Sequence, residues 1–264
     1  MLTIRKSEER HHIGNEDQKT WMTFDEENKA DPLREGFGPL KILNEAVLSP
    51  GSGFFLRSNK DMIIITYVRE GMIVYKGPLE PVDLMESKDF HRSNAPSDTK
   101  QYTLNVSQSV KANVFQCGFT PDGCEEPNPN PLPKSKGMKK LFTHAERQGV
   151  LKLIASGDGK DSSLSIQQDI QMYSTYLHTG NHIIHELKPG RTAWLHLVKG
   201  EILVNQLPLQ TGDGIGLSGE KSVSFTAQMP SEILLFDLCE PVPGVTKTDG
   251  QPLSAVTHPS CSQN

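Results

Sequence analysis

The sequence predicts an all-β chain folded as two tandem jelly-roll β-barrels with few short helices. Three observations carry this. A strand–glycine–strand pattern occurs twice, as Ile65-Thr66-Tyr67-Val68-Arg69-Glu70-Gly71-Met72-Ile73-Val74 and as Leu195-His196-Leu197-Val198-Lys199-Gly200-Glu201-Ile202-Leu203-Val204. In each copy an apolar run meets a charged residue, turns at a glycine and returns as a second apolar run. The 264 residues contain 18 Pro and 22 Gly, the punctuation of many short strands. Between the copies, Pro127, Pro129, Pro131 and Pro133 favour an extended, semi-rigid connector.

In chain order, residues 1–120 are expected to form the first barrel. Met62 to Val68 is a β-branched apolar run, Arg69-Glu70-Gly71 a tight turn, and Met72 to Tyr75 the return strand. Both copies follow a Pro-Gly pair, Pro50-Gly51 and Pro189-Gly190, but Gly51 lies 20 residues before Gly71 and Gly190 only 10 before Gly200. The first copy is therefore expected to hold an extra loop and strand that the second lacks. Residues 121–140 read as the connector, with Lys134, Lys136, Lys139 and Lys140 in it or at its end. Residues 141–240 read as the second barrel. A short amphipathic helix is expected near Leu141 to Arg147, and Ser163 to Met172 reads as either helix or strand. Residues 241–264 have little apolar content and read as a mobile tail.

A net charge of −5, mixed along the chain, offers no basic patch for nucleic acid. No run of about 18 apolar residues exists to span a membrane, and the charged opening Arg5-Lys6-Ser7-Glu8-Glu9-Arg10 does not fit a signal peptide. Cys117, Cys124, Cys239 and Cys261 show no CxxC spacing and are expected as free thiols, which makes the expected compartment the cytoplasm. There is no phosphate loop and no GxGxxG, and Gly216-Leu217-Ser218-Gly219 is not a nucleophile elbow.

Several ordered blocks resemble one family. They include Trp21-Met22-Thr23-Phe24, Asp31-Pro32, Gly36-Phe37-Gly38-Pro39-Leu40-Lys41-Ile42-Leu43-Asn44, Lys60-Asp61-Met62 with Thr66-Tyr67-Val68-Arg69-Glu70-Gly71, Leu164-Ser165-Ile166-Gln167-Gln168-Asp169, and Leu234-Leu235-Phe236-Asp237-Leu238. Together with neighbouring blocks they span roughly residues 2–240. The chain resembles the pirin family, bicupins that include bacterial quercetin 2,3-dioxygenases. The resemblance implies two tandem cupin barrels and a metal, usually iron, held by a His-x-His and a later His-x-Glu pair. Those places fall at Arg57 and Asn59, and at Gln101 and Thr103.

None of the four suits such a metal. Arginine stays charged and has no lone pair to donate, and amide or hydroxyl oxygens bind hard cations mainly beside carboxylates. In the second half, His182 and His185 fall on opposite faces of a strand and make no His-x-His pair. His178 and His196 complete no ligand set. The expectation is therefore a pirin-like bicupin with no metal, no cofactor and no catalytic residue, acting as a monomeric small-molecule-binding or regulatory protein, with a protein partner as an open possibility. Arg57, Asn59, Gln101 and Thr103 would line a pocket for a small anionic or carbonyl-bearing ligand, with Lys60 and Lys100 at its mouth. Arg57 can equally snorkel outward past Phe54, Phe55 and Leu56. Two alternatives stay open. One is a metal-dependent oxygenase of the quercetinase type. The other is a metal-independent cupin isomerase with His91 or Asp98 as its base.

Overall fold

The computed structural model describes residues 1–78, 80–121 and 137–240. The expected tail and residues 122–136 of the expected Pro-rich connector lie outside these described residues. The chain runs through β1 (Leu2–Arg5), β2 (His11–Gly14), β3 (Gln18–Met22), β4 (Leu40–Leu48), β5 (Gly53–Ser58), β6 (Met62–Glu70), β7 (Met72–Lys76), β8 (Asp83–Glu86), β9 (Asp89–Ala95), β10 (Thr99–Asn105) and β11 (Ala112–Phe119). It continues with β12 (Met138–Leu141), the one-turn α1 (His144–Arg147), β13 (Lys152–Ser156), β14 (Leu164–Ser165), β15 (Ile170–Leu177), β16 (His182–Glu186), β17 (Arg191–Lys199), β18 (Glu201–Val204), β19 (Leu207–Gln210), β20 (Gly214–Ser218), β21 (Ser222–Ala227) and β22 (Ser231–Cys239).

Each barrel pairs a seven-stranded wall with a four-stranded one. The first has β12-β9-β6-β11-β4-β3-β2 facing β5-β10-β7-β8, and the second has β1-β20-β17-β22-β15-β13-β14 facing β16-β21-β18-β19. The all-β expectation of tandem cupin barrels holds. The duplicated hairpins are β6–β7 and β17–β18, turning at Gly71 (φ 83°) and Gly200 (φ 104°). A Cβ at Gly200 would lie 2.6 Å from the Pro230 carbonyl oxygen, so only glycine fits.

The expected halves are not closed on themselves. Strand β1 pairs with β20 of the second barrel, Leu2 opposite Leu217 through Arg5 opposite Gly214. Conversely β12, at the end of the expected connector, pairs with β9 of the first barrel. The exchange is anchored at Asp213, whose carboxylate accepts from the Ser7 backbone N–H (2.8 Å) and from Lys6 Nζ (2.9 Å). A second correction concerns the repeat. The second barrel does not lack the extra strand, because β16 occupies the place of β5 and lies before Pro189-Gly190 rather than after it. The two Pro-Gly pairs are therefore not equivalent positions.

Helix α1 begins at a capping box. Thr143 Oγ1 accepts from the Glu146 N–H (3.3 Å) and the Glu146 carboxylate accepts from the Thr143 N–H (2.7 Å). Within 163–172 the chain forms β14 and the start of β15 and no helix. Cys117 is a buried free thiol, but Cys239 is disulfide-bonded, which corrects the expectation of four free thiols.

The largest apolar core lies between the barrels. There Trp194 of β17 meets Phe24 and Phe37 at ring distances of 5.0 and 5.4 Å, and Phe119 meets Phe236. Alternation along β6 sends Ile63, Ile65 and Tyr67 into this shared core, and Met62, Ile64 and Val68 into the first barrel. No helix among the described residues is long and apolar enough to cross a membrane.

Candidate functional site

The interior of the first barrel is where β5 and β10 bring together the positions that carry a metal in the resembled family. On β10 the alternation is clean. Gln101, Thr103 and Asn105 are buried and face inward, while Lys100, Tyr102 and Leu104 are exposed. On β5 the inward side chains are Phe54, Leu56 and Ser58. The register fixes this, since Leu56 stands opposite Gln101 and Phe54 opposite Thr103.

Arg57 and Asn59 are therefore not pocket residues, which corrects the expected quartet. Arg57 is 62% exposed and pairs with Asp98 Oδ1 at 3.0 Å on the outer surface. Asn59 Nδ2 donates to Glu26 Oε2 at 2.7 Å, also outside. A strand's period of two accounts for the displacement, because a step of one residue carries a side chain through the sheet. Only Gln101 and Thr103 of the four reach the interior. Lys100 lies over the outer face of Phe55, 4.4 Å from its ring centre, and Asp98 goes outside with Arg57.

The inward set on these two strands is thus Phe54, Leu56, Ser58, Gln101, Thr103 and Asn105, with no imidazole and no carboxylate. A divalent transition metal needs several of those donors converging. Among the described residues no three His, Cys, Asp or Glu side chains come together in that way. The residues present do not fit the family's metal.

What the interior does hold is a polar seam. Tyr75 Oη donates to Ser93 Oγ at 2.7 Å, and Gln101 Nε2 donates to the same oxygen at 3.2 Å. The Tyr75 ring lies 4.7 Å from the His91 ring, and His91 Nε2 is 3.4 Å from Glu80 Oε2. Two glycines let the backbone approach this end. A Cβ on Gly137 would come within 2.5 Å of Glu80 Oε2 and 2.6 Å of His91 Nε2, and one on Gly77 within 3.3 Å of Tyr75 Oη. Further along the interior, Ser58 Oγ, Thr66 Oγ1, Gln101 Oε1, Thr103 Oγ1, His91 Nδ1 and both polar atoms of Gln116 are buried without a hydrogen-bond partner. An unmade buried hydrogen bond costs about 1–3 kcal/mol, so such a lining suits a polar guest.

Burial sets the protonation of the seam. It pushes the Glu80 carboxyl up to about 7, against the pull of the Asn94 N–H and of Arg92 and with help from Asp83. It pushes His91 down to about 4, with Asp83 opposing and Lys139 and Arg92 assisting. Near neutrality the imidazole is uncharged and the carboxyl is poised between its two forms. Burial likewise raises the Tyr75 phenol, which stays protonated.

Sequence reasoning named His91 only as an isolated candidate base and missed Tyr75, Glu80 and Ser93. Alternation could have joined His91 to Ser93, since both face one side of β9. Nothing local marks Glu80, which enters from the segment between β7 and β8. In the second barrel the histidines diverge as expected. His182 is exposed beside Thr226 Oγ1, whereas His185 faces inward to Asp237 Oδ2 at 2.8 Å. His196 is sealed in the inter-barrel core against Phe115.

Comparison with known proteins agrees with this architecture. A family model described as the quercetinase C-terminal cupin domain matches residues 153–238. A quercetin 2,3-dioxygenase of Escherichia coli K12 is 29% identical over 240 residues, covering 90% of this chain and 99% of that protein. A putative quercetin 2,3-dioxygenase of Pseudomonas aeruginosa is 32% identical over 209 residues, covering 79% of this chain and 87% of the relative. Among solved structures, the bacterial pirin YhhW of Escherichia coli in complex with nickel(II) superposes with a TM-score of 0.77 at 27% identity, over 92% of this chain and 100% of that one. With this sequence kinship and the two exchanged cupin barrels, the chain belongs to the pirin family of bicupins.

Proposed function

We propose that this pirin-family bicupin works without a resident metal in its first barrel and uses that barrel to bind a small uncharged molecule carrying hydroxyl or carbonyl groups. The observation that carries the reading is the inward donor set. Leu56, Ser58, Gln101 and Thr103 stand where metal ligands would be needed, and the nearby unpartnered atoms belong to amides, hydroxyls, an uncharged imidazole and the Glu80 carboxyl. Of the expected ligand classes the carbonyl-bearing one is favoured, because Arg57 lies outside and brings no cation to the interior. The proposal includes a monomeric, cytosolic chain with a binding or regulatory role and no direct contact with nucleic acid or membrane.

Metal content is the first test. Protein purified without a polyhistidine tag, from cells supplied with iron, manganese, nickel and copper, should carry close to no metal per chain. Nickel(II) should leave its thermal midpoint unchanged, since only a ligand that binds the folded state raises it. About one metal per chain, with cleavage of a flavonol, would overturn the proposal and restore the oxygenase reading.

A second reading, proton transfer without a metal, is favoured by the Glu80–His91 pair. A carboxyl poised near 7 beside an uncharged imidazole suits abstraction of a proton next to a carbonyl. Deuterium uptake at the α-carbon of a small hydroxyketone in heavy water, lost in Glu80→Gln, would support it. Equal exchange with and without the protein would remove it.

A further inference from the structure

A cleft of about 240 Å³ opens between the barrels, away from the first-barrel interior. Its walls come from the ends of β6, β15 and β17, from the segment leading into β22, and from α1. The floor is a buried ionic network. Glu232 accepts from Tyr67 Oη (2.6 Å) and from Arg69 Nε (2.8 Å), and Arg147 Nη1 stands 3.6 Å from the same carboxylate. Arg147 is fully buried and also donates to Ser174 Oγ (3.1 Å) and Tyr176 Oη (2.8 Å).

The cations of this cleft are not equally partnered. Arg69 and Arg147 together face the Glu232 carboxylate, with Glu70 bonding Arg69 at the rim. Lys199, also in the wall, makes no hydrogen bond or ion pair among the described residues. Lys199 is therefore the cation of this wall that no carboxylate of the described residues pairs with. Beside it the wall is apolar and aromatic. Tyr176 is sandwiched between the Arg147 guanidinium (4.4 Å) and the stacked His144 ring (4.2 Å), Leu177 and Pro230 extend this side, and Ser231 with the hydrogen-bonded Gln148 and His178 makes the rest of the lining polar.

We propose that this cleft is a binding site for a small monocarboxylate with a compact apolar or planar body, its carboxylate on Lys199 and Arg69 and its body against His144, Leu177 and Pro230. One unpaired ammonium at the rim matches a monoanion. A dianion such as phosphate would sit under-neutralised above Glu232. The volume is below the roughly 300–1,000 Å³ of drug-sized sites, which restricts the guest to a small metabolite. Because the walls come from both barrels, binding also clamps the barrels together. The site is separate from the first-barrel seam and does not depend on the proposed function.

The test uses the full chain and four probes: benzoate, its uncharged isostere benzamide, acetate and inorganic phosphate. Calorimetric titration and thermal shift should show saturable benzoate binding, weaker binding of acetate, and none of benzamide or phosphate. Lys199→Ala should weaken benzoate about tenfold, the loss of one charge-assisted contact, while Lys199→Arg retains it. Gln101→Ala, in the first-barrel seam, should leave benzoate binding unchanged. Absence of benzoate binding at millimolar concentration overturns the proposal. So does equal binding of benzamide, preference for phosphate, or an affinity indifferent to Lys199→Ala.

Discussion

At the scale of single residues, two buried clusters set this protein apart from a plain apolar sandwich. Burial raises the Glu80 carboxyl to about 7, and the sign of its effect follows. Its folded value of about 7 exceeds the ordinary 4.5, so the stability it allows is fully present at low pH and is lost as pH rises through 7. His91 works the other way. Its folded value of about 4 lies below 6.5, so its share is present above 6.5 and is lost as pH falls toward 4. Glu80→Gln removes the first effect only. The variant should gain thermal stability over the parent at pH 8 and much less at pH 5, read by melting curves at the two pH values. A gain independent of pH would contradict the assignment. In the other cluster, Arg147→Ala leaves Glu232 with one cation fewer and strips partners from Tyr67, Ser174 and Tyr176. Breaking a buried pair from one side costs about 3–5 kcal/mol, and urea unfolding should show a loss of that order.

At the scale of elements, the hairpins β6–β7 and β17–β18 are the most legible part of the chain. A β-branched run, a charged residue and a glycine announce both, and both turn at a glycine of positive φ. Gly200→Ala should cost about 2 kcal/mol, because alanine at φ 104° is strained and its Cβ meets the Pro230 carbonyl and the Ser231 side chain. A denaturation midpoint equal to the parent's would show that this turn is not strained. Strand β5 was legible as a strand but not in its facing. Phe54 to Ser58 alternates weakly, with Phe54, Phe55 and Leu56 in a row, so hydrophobicity does not say which side is inside. The pairing with β10 decides it. Residues 182–185 were legible as a strand, but β16 was not matched to β5 for a related reason. Its exposed Ile184 and inward His185 blur the pattern, and the nearby Pro-Gly drew the repeat boundary to the wrong side.

At the scale of the whole molecule, the barrels are interlocked rather than merely tandem. Strands β1 and β12 each close the other half's barrel, and the largest core is shared between the two seven-stranded walls. Unfolding one barrel would expose that core and strip an edge strand from its neighbour, so the two should unfold as one cooperative unit. Trp21→Phe leaves Trp194, in the second barrel, as the only indole. Its fluorescence transition in urea should coincide with the loss of β-structure followed by circular dichroism. Two separated midpoints would mean that the shared core does not couple the barrels.

The sequence by itself determined the all-β class, the duplication into two barrels, the family, and the absence of histidine and carboxylate at Gln101 and Thr103. Those features are written in local composition, in period-two patterns and in residue identity, which need no knowledge of distant partners. Tertiary structure alone decided the rest. The side of the sheet that Arg57 and Asn59 occupy depends on a cross-strand register. Strand exchange depends on which edges are left open. The seam from Glu80 through His91, Tyr75 and Ser93 to Gln101, and the cleft at Lys199, gather residues from separate strands and loops. No spacing along the chain encodes a contact that exists only once the sheets have closed.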